Sequence, residues 1–168
     1  MQNVLKYLMN YVIRKMQRDS IHWRAPKEWD YTYADYYIHT GDFEQAIPYL
    51  RKVIKHEMRR KQKAREWFLL GQLLAATGKK QEAYKAFKHV TRLNPPYELE
   101  FNARISMTEV MARGNAKQMI SRLKRMAASD NNKEYLDQIY YAIGNIYLNE
   151  KDTVRAISAY EKGNTKAT

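Results

Sequence analysis

The sequence predicts an all-α protein: a right-handed superhelix of about four helix-turn-helix units, preceded by one amphipathic helix. Three observations predict it. A short motif recurs at a nearly constant step, the stretches on either side of each copy have helical periodicity, and helix breakers are scarce, with 6 Gly and 4 Pro among 168 residues. Hydrophobic residues make up 45 % of the chain, enough to bury a core.

The motif reads Gly41-Asp42-Phe43-Glu44-Gln45-Ala46, then Gly78-Lys79-Lys80-Gln81-Glu82-Ala83. A weaker copy is Gly114-Asn115-Ala116-Lys117-Gln118-Met119, and the last is Lys151-Asp152-Thr153-Val154-Arg155-Ala156. The closing residues are separated by 37, 36 and 37 positions. Around the second copy, Trp67, Leu70, Gly71 and Leu74 lie on one face of a helix that ends at Gly78, and Ala83, Phe87 and Val90 lie on one face of the next. Gly78 supplies the left-handed backbone that terminates the first helix, and Pro95 stops the second. Gly71 and Ala83 are small enough for two backbones to approach, while the large residues beside them fill the remaining space.

Taken in order, residues 1–19 form an amphipathic helix with Val4, Leu5, Leu8, Val12 and Met16 on one face. The first unit spans 27–60, with Tyr33, Ala34, Tyr37, Ala46, Leu50 and Val53 in the packing slots and Asp30 where an aromatic is expected, beside Trp29. The second spans 64–96. The third, 97–131, is degenerate, with Ala103, Ser106, Met107, Val110, Met119, Leu123 and Met126. The fourth, 133–163, has Tyr140, Ile143, Gly144, Tyr147, Ala156 and Tyr160. The pattern stops at Gly163 without a polar capping helix, so the chain reads as a piece of a longer array, or as one whose last helix is covered by a partner or a second copy.

The run Trp67-x-x-Leu70-Gly71-x-x-Leu74, then Ala83-x-x-x-Phe87, then Pro95 resembles the tetratricopeptide repeat signature, with Leu74 in place of its Tyr. The resemblance covers roughly residues 27 to 163 and implies a protein-binding scaffold. A narrower one lies in Asn94-Pro95-Pro96-Tyr97-Glu98-Leu99-Glu100-Phe101-Asn102-Ala103-Arg104 and in Asn132-Lys133-Glu134-Tyr135-Leu136-Asp137-Gln138-Ile139-Tyr140-Tyr141. These are similar to segments of the tetratricopeptide lipoprotein component of Bacteroidetes gliding motility and type IX secretion. That resemblance implies a periplasmic, outer-membrane-associated section of a larger protein.

The sequence points to no catalytic residues, metal or cofactor. With no Cys, thiol chemistry and Cys-ligated zinc are excluded. His22, His39, His56 and His89 lack metal-ligand spacing and read as surface or loop residues. Each Gly stands alone, so no loop of this sequence cradles a phosphate. No apolar run reaches the length of a membrane span.

Function is expected on the concave wall, which the first helix of each unit lines. The residues interleaved between packing slots there are Tyr31 and Asp35, Phe68 and Gln72, Arg104 and Thr108, Tyr141 and Asn145. Mixed aromatic and polar side chains with little net charge suit an extended peptide or helix. Tyr31, Phe68, Arg104 and Tyr141 are the large ones and have no evident packing duty. A second candidate is the basic patch Arg51, Lys52, Lys55, Arg59, Arg60, Lys61, Lys63 and Arg65, whose only acid is Glu57. Its plainer reading is a solvated helix end with cations near the C-terminal dipole. The net charge of +12 supports an alternative function, a nucleic-acid- or polyanion-binding array. Nucleic acid is the lesser reading, because such a binder would concentrate cations on the inward slots, where only Arg104 stands.

Overall fold

The computed structural model describes residues 25–165; the helix expected over 1–19 and His22 lie outside them. The described residues form eight α-helices, one 3-10 turn and no strand. In order they are α1 (Ala25–His39), α2 (Phe43–His56), α3 (Arg60–Ala76), α4 (Lys80–Arg92), α5 (Tyr97–Met111), α6 (Ala116–Ala127), the 3-10 turn Asp130–Tyr135, α7 (Leu136–Asn149) and α8 (Thr153–Asn164). No helix among them is long and apolar enough to cross a membrane. The chain divides into two compact units, one ending at Met58 and the other beginning at Arg59.

In the first unit α1 and α2 pair as a hairpin. Ala34, Ala46, Leu50 and Val53 are buried between or beside them. The Tyr49 ring stacks on Tyr33 at 4.7 Å and on Tyr37 at 5.8 Å, so these tyrosines act as packing residues. The turn closes at Gly41, whose φ of +75° lets the Asp42 amide donate to the Tyr37 carbonyl.

In the second unit, α3 with α4 and α7 with α8 form tight hairpins, each built around a glycine that meets a ring. A Cβ on Gly71 would lie 2.5 Å from the Phe87 ring, and one on Gly144 would overlap the Tyr160 ring. Such spacing lets large side chains seat against a bare backbone. Leu70, Leu74, Phe87 and Val90 are almost fully buried in one hairpin, and Ile139, Ile143, Ile146 and Ala156 in the other. Helices α5 and α6 pack more loosely on one another, and α6 leans more on α7. Their apolar side chains Phe101, Ile105, Ile120 and Leu123 join Ile139 and Ile143 in one core. The 3-10 turn is pinned by Asn132, which accepts a hydrogen bond from the Tyr97 hydroxyl and donates to the Met126 carbonyl at 2.8 Å.

Candidate functional site

The wall residues fall on first helices of hairpins: Tyr31 and Asp35 on α1 in the first unit, the others on α3, α5 and α7 in the second. Within the second unit α5 touches both α3 and α7, so these three helices lie side by side. Tyr31 is 55 % exposed. Asp35 is tied to its own helix, its carboxylate 3.4 Å from His39 Nδ1, which also bonds the Asp35 carbonyl at 2.9 Å.

In the second unit the side chains have unequal freedom. Tyr141 stands 61 % exposed and Gln72 is exposed. Phe68 is only half-exposed, its ring 5.5 Å from Phe87, so it has a packing duty that its sequence position does not reveal. Arg104 reaches back along α5, its Nη2 donating to Glu100 Oε1 at 2.6 Å and its Nε at 3.1 Å. Thr108 departs from the expectation altogether: it is 1 % exposed, and its hydroxyl donates to the Ile105 carbonyl at 2.6 Å. The degenerate third repeat explains this. Its packing slots no longer set the rotation of α5 as Gly71 and Leu70 set that of α3, and Thr108 is turned inward.

On α5 it is instead Ile105 and Glu109, one residue round from Arg104 and Thr108, that line a cavity with Asp137 and Tyr141 of α7 and Tyr160 of α8. Its volume is about 530 Å³. The Tyr141 and Tyr160 rings lie 5.6 Å apart. Asn145 ties two of the lining residues together: its amide oxygen accepts from the Tyr160 hydroxyl at 2.8 Å, and its side chain bonds the Glu109 carboxylate. Burial of the carboxyl group holds Glu109 above the usual carboxylate range, with the Asn145 bond opposing it. The residue as a whole is exposed, and its side chain borders the cavity. Glu109, Asp137 and Tyr160 were not legible as site residues. Glu109 is hidden by the rotation of α5, and Tyr160 occupies a packing slot. An acid following Ile105 at helical spacing was the one available signal.

The basic segment is divided between the units. Arg51, Lys52 and Lys55 are exposed on α2, with Lys52 Nζ 3.7 Å from Asp30 Oδ1 and 5.2 Å from the Tyr49 ring centroid. Arg59 is the N-cap of α3, and Arg60, Lys61, Lys63 and Arg65 occupy its first two turns. The dipole argument therefore holds for Lys55 but reverses for Arg60, Lys61 and Lys63, which sit at the positive end of a helix. Glu57 is buried at 2 % exposure. Of the histidines, His39 and His56 end helices, while His89 stacks flat on Trp67 at 4.4 Å. Burial, then Arg92, lowers its pKa. Among the described residues no cluster of His, Asp or Glu is arranged to hold a metal ion.

Comparison with known proteins agrees with this architecture. Tetratricopeptide repeat models match residues 64–97, 31–55 and 137–164, together more than half of the chain. The matches leave out the third hairpin, where the packing slots are degenerate. No curated protein matches by sequence. A crystal structure of MamA has the same fold with a TM-score of 0.58 at 17 % identity, covering 94 % of this chain and 85 % of that one. A second MamA crystal structure, also at a TM-score of 0.58, is 23 % identical and covers 84 % and 73 %.

Proposed function

The chain belongs to the tetratricopeptide repeat family, and from that premise we propose that it is a non-enzymatic scaffold. It holds a peptide or helix of a partner protein against the first helices of its hairpins. One observation carries the reading: Tyr141, a large aromatic on α7, is 61 % exposed beside a cavity of about 530 Å³ and is not absorbed into the core. Aromatic side chains held on rigid helices give binding energy at low entropic cost. Backbone hydrogen exchange of this chain, with and without a partner captured from the source cell, tests it. Slowed exchange confined to α3, α5 and α7 is expected; protection only on α4, α6 or the α2 exterior contradicts it.

A cell-envelope secretion or motility assembly is the context we propose for that partner, supported by the sequence resemblance at 94–104 and 132–141 alone. Self-association through α8 belongs to the same proposal, supported by Val154 and Ile157, which are 78 % and 57 % exposed. Sedimentation of Ile157→Asp against the parent chain tests it, with loss of a dimer expected.

A second reading, polyanion binding, is favoured by a cavity of about 480 Å³ lined by Lys117, Lys124, Arg125 and Arg155 with no acid in its lining. On the scaffold reading, binding to generic DNA is weak, with a Kd at or above about 10⁻⁶ M, and falls steeply with salt. Tight binding that persists at high salt would displace the scaffold reading.

A further inference from the structure

We propose that the cavity between α5, α7 and α8 receives a cationic side chain of the partner, Lys or Arg, held by Glu109 and Asp137 with the rings of Tyr141 and Tyr160 as its walls. This rests on the scaffold reading and names the chemistry its partner must carry.

The charge pattern is the first argument. The chain has 30 Lys and Arg against 18 Asp and Glu, and two of its other cavities are each lined by three or more cations. This one is lined by two carboxylates and no Lys or Arg. Neither Glu109 nor Asp137 is ion-paired among the described residues. The walls are the second argument, independent of the carboxylates. Tyr141 and Tyr160 present aromatic rings 5.6 Å apart, and ring faces attract a desolvated ammonium or guanidinium. The last turn of α8 is the third. Gly163 and Asn164 line the cavity at the C-terminal end of that helix, where the helix dipole makes the local potential negative.

Geometry also suits a long side chain better than a bare ion. Ile105 gives one wall an apolar patch for an alkyl stem, and the carboxylates receive the charged head. The Asn145 amide is already committed to Tyr160 and Glu109, which holds these two lining side chains in place before any ligand arrives. An acidic partner, which the overall charge attracts, is repelled at this spot. The cavity therefore sets the register of a partner steered in by the +12 field rather than its affinity alone.

The test uses two defined peptides, N-acetyl-Leu-Arg-Leu-amide and its citrulline analogue, which keeps the shape and hydrogen bonding but loses the charge. Each is titrated into the full chain while the amide resonances of Asp137, Tyr141 and Gly163 are followed by NMR. Saturable shifts at those positions are expected, with the arginine peptide about 10-fold tighter or more. Glu109→Gln with Asp137→Asn should abolish that preference while the spectrum stays dispersed. If the double variant loses dispersion, Asp137→Asn alone, in the first turn of α7, carries the same expectation. Equal binding of both peptides overturns the cation site and leaves the scaffold reading standing. Absence of shifts from either peptide, or an unchanged preference in the variants, also overturns it; the scaffold reading is then judged by the captured partner.

Discussion

The second and third hairpins occupy one compact unit and share one register, yet they pack in opposite ways. In the second, Gly71 lets the Phe87 ring lie against bare backbone, and Ala83 is fully buried beside it. In the third, the register puts Met107 and Met119 where those two small residues stand, and Ala103 and Ser106 where Trp67 and Leu70 stand. Bulk has moved from the periphery of the contact to its centre. Helices α5 and α6 pack loosely on one another, and a cavity of about 600 Å³ is lined by Phe101, Met107 and Met126 among others. Methionine fills irregular gaps without specifying one arrangement, so this hairpin relies on α7 for its core. The same repeat length therefore gives either a rigid brick or an adaptable joint, according to where its small residues fall.

Placing the bulk of the third hairpin into the second gives the largest expected effect. Gly71→Met should destabilise by about 3 kcal/mol or more, because its Cβ alone meets the Phe87 ring. Thermal or urea melts check this. The matching change at Met107, Met107→Leu, sits in the open joint and should cost under about 1.5 kcal/mol.

The turns allow a finer comparison. Gly41, Gly78 and Gly114 have φ of +75°, +77° and +82°, and the fourth turn places Lys151 in the same role at +62°. A side chain is strained in that region by about 1–2 kcal/mol. Gly78→Ala should lose about that much, and Lys151→Gly should gain up to about 1 kcal/mol, the difference being the entropy cost of glycine. Paired melts of the two variants should move in opposite directions.

Smaller still is the surface pair on α5. Arg104→Ala removes an i,i+4 contact with Glu100 and should cost about 0.3–0.5 kcal/mol, less at high salt. Glu109→Gln should go the other way. The folded state raises the Glu109 pKa through burial, so it binds that proton more tightly than the unfolded chain does. Its charge is a cost at neutral pH, and the cost fades as pH falls through the raised value into the ordinary carboxylate range. The variant should melt slightly higher than the parent at neutral pH and equally at acidic pH.

Much of this fold was legible because its signals are local. Gly78 with Ala83, Gly41 with Ala46, and the periodic apolar residues between them specify helix, turn and helix without reference to distant contacts. The wall was legible in part. Tyr31 and Tyr141 are exposed as their register implies, whereas Phe68 leans on Phe87 and Thr108 is buried. Those two depend on how a helix is rotated against its neighbours. Rotation is set by side-chain volume across the contact, and it is lost where Met107 and Met119 replace small residues. Glu109 and Asp137 become neighbours of one cavity through that same rotation, which no spacing within a single helix encodes.

The central claim is that exposed aromatics on the first helices hold a protein partner. Calorimetric titration of a captured partner into Tyr141→Ala, with a melt of the same protein, tests it most directly. Tyr141 touches Tyr160 but is mostly open to solvent, so the melting temperature should be nearly unchanged. Binding should weaken by about 2 kcal/mol or more, the loss typical of an interface hot spot. Unchanged affinity in a variant that melts normally would contradict the account.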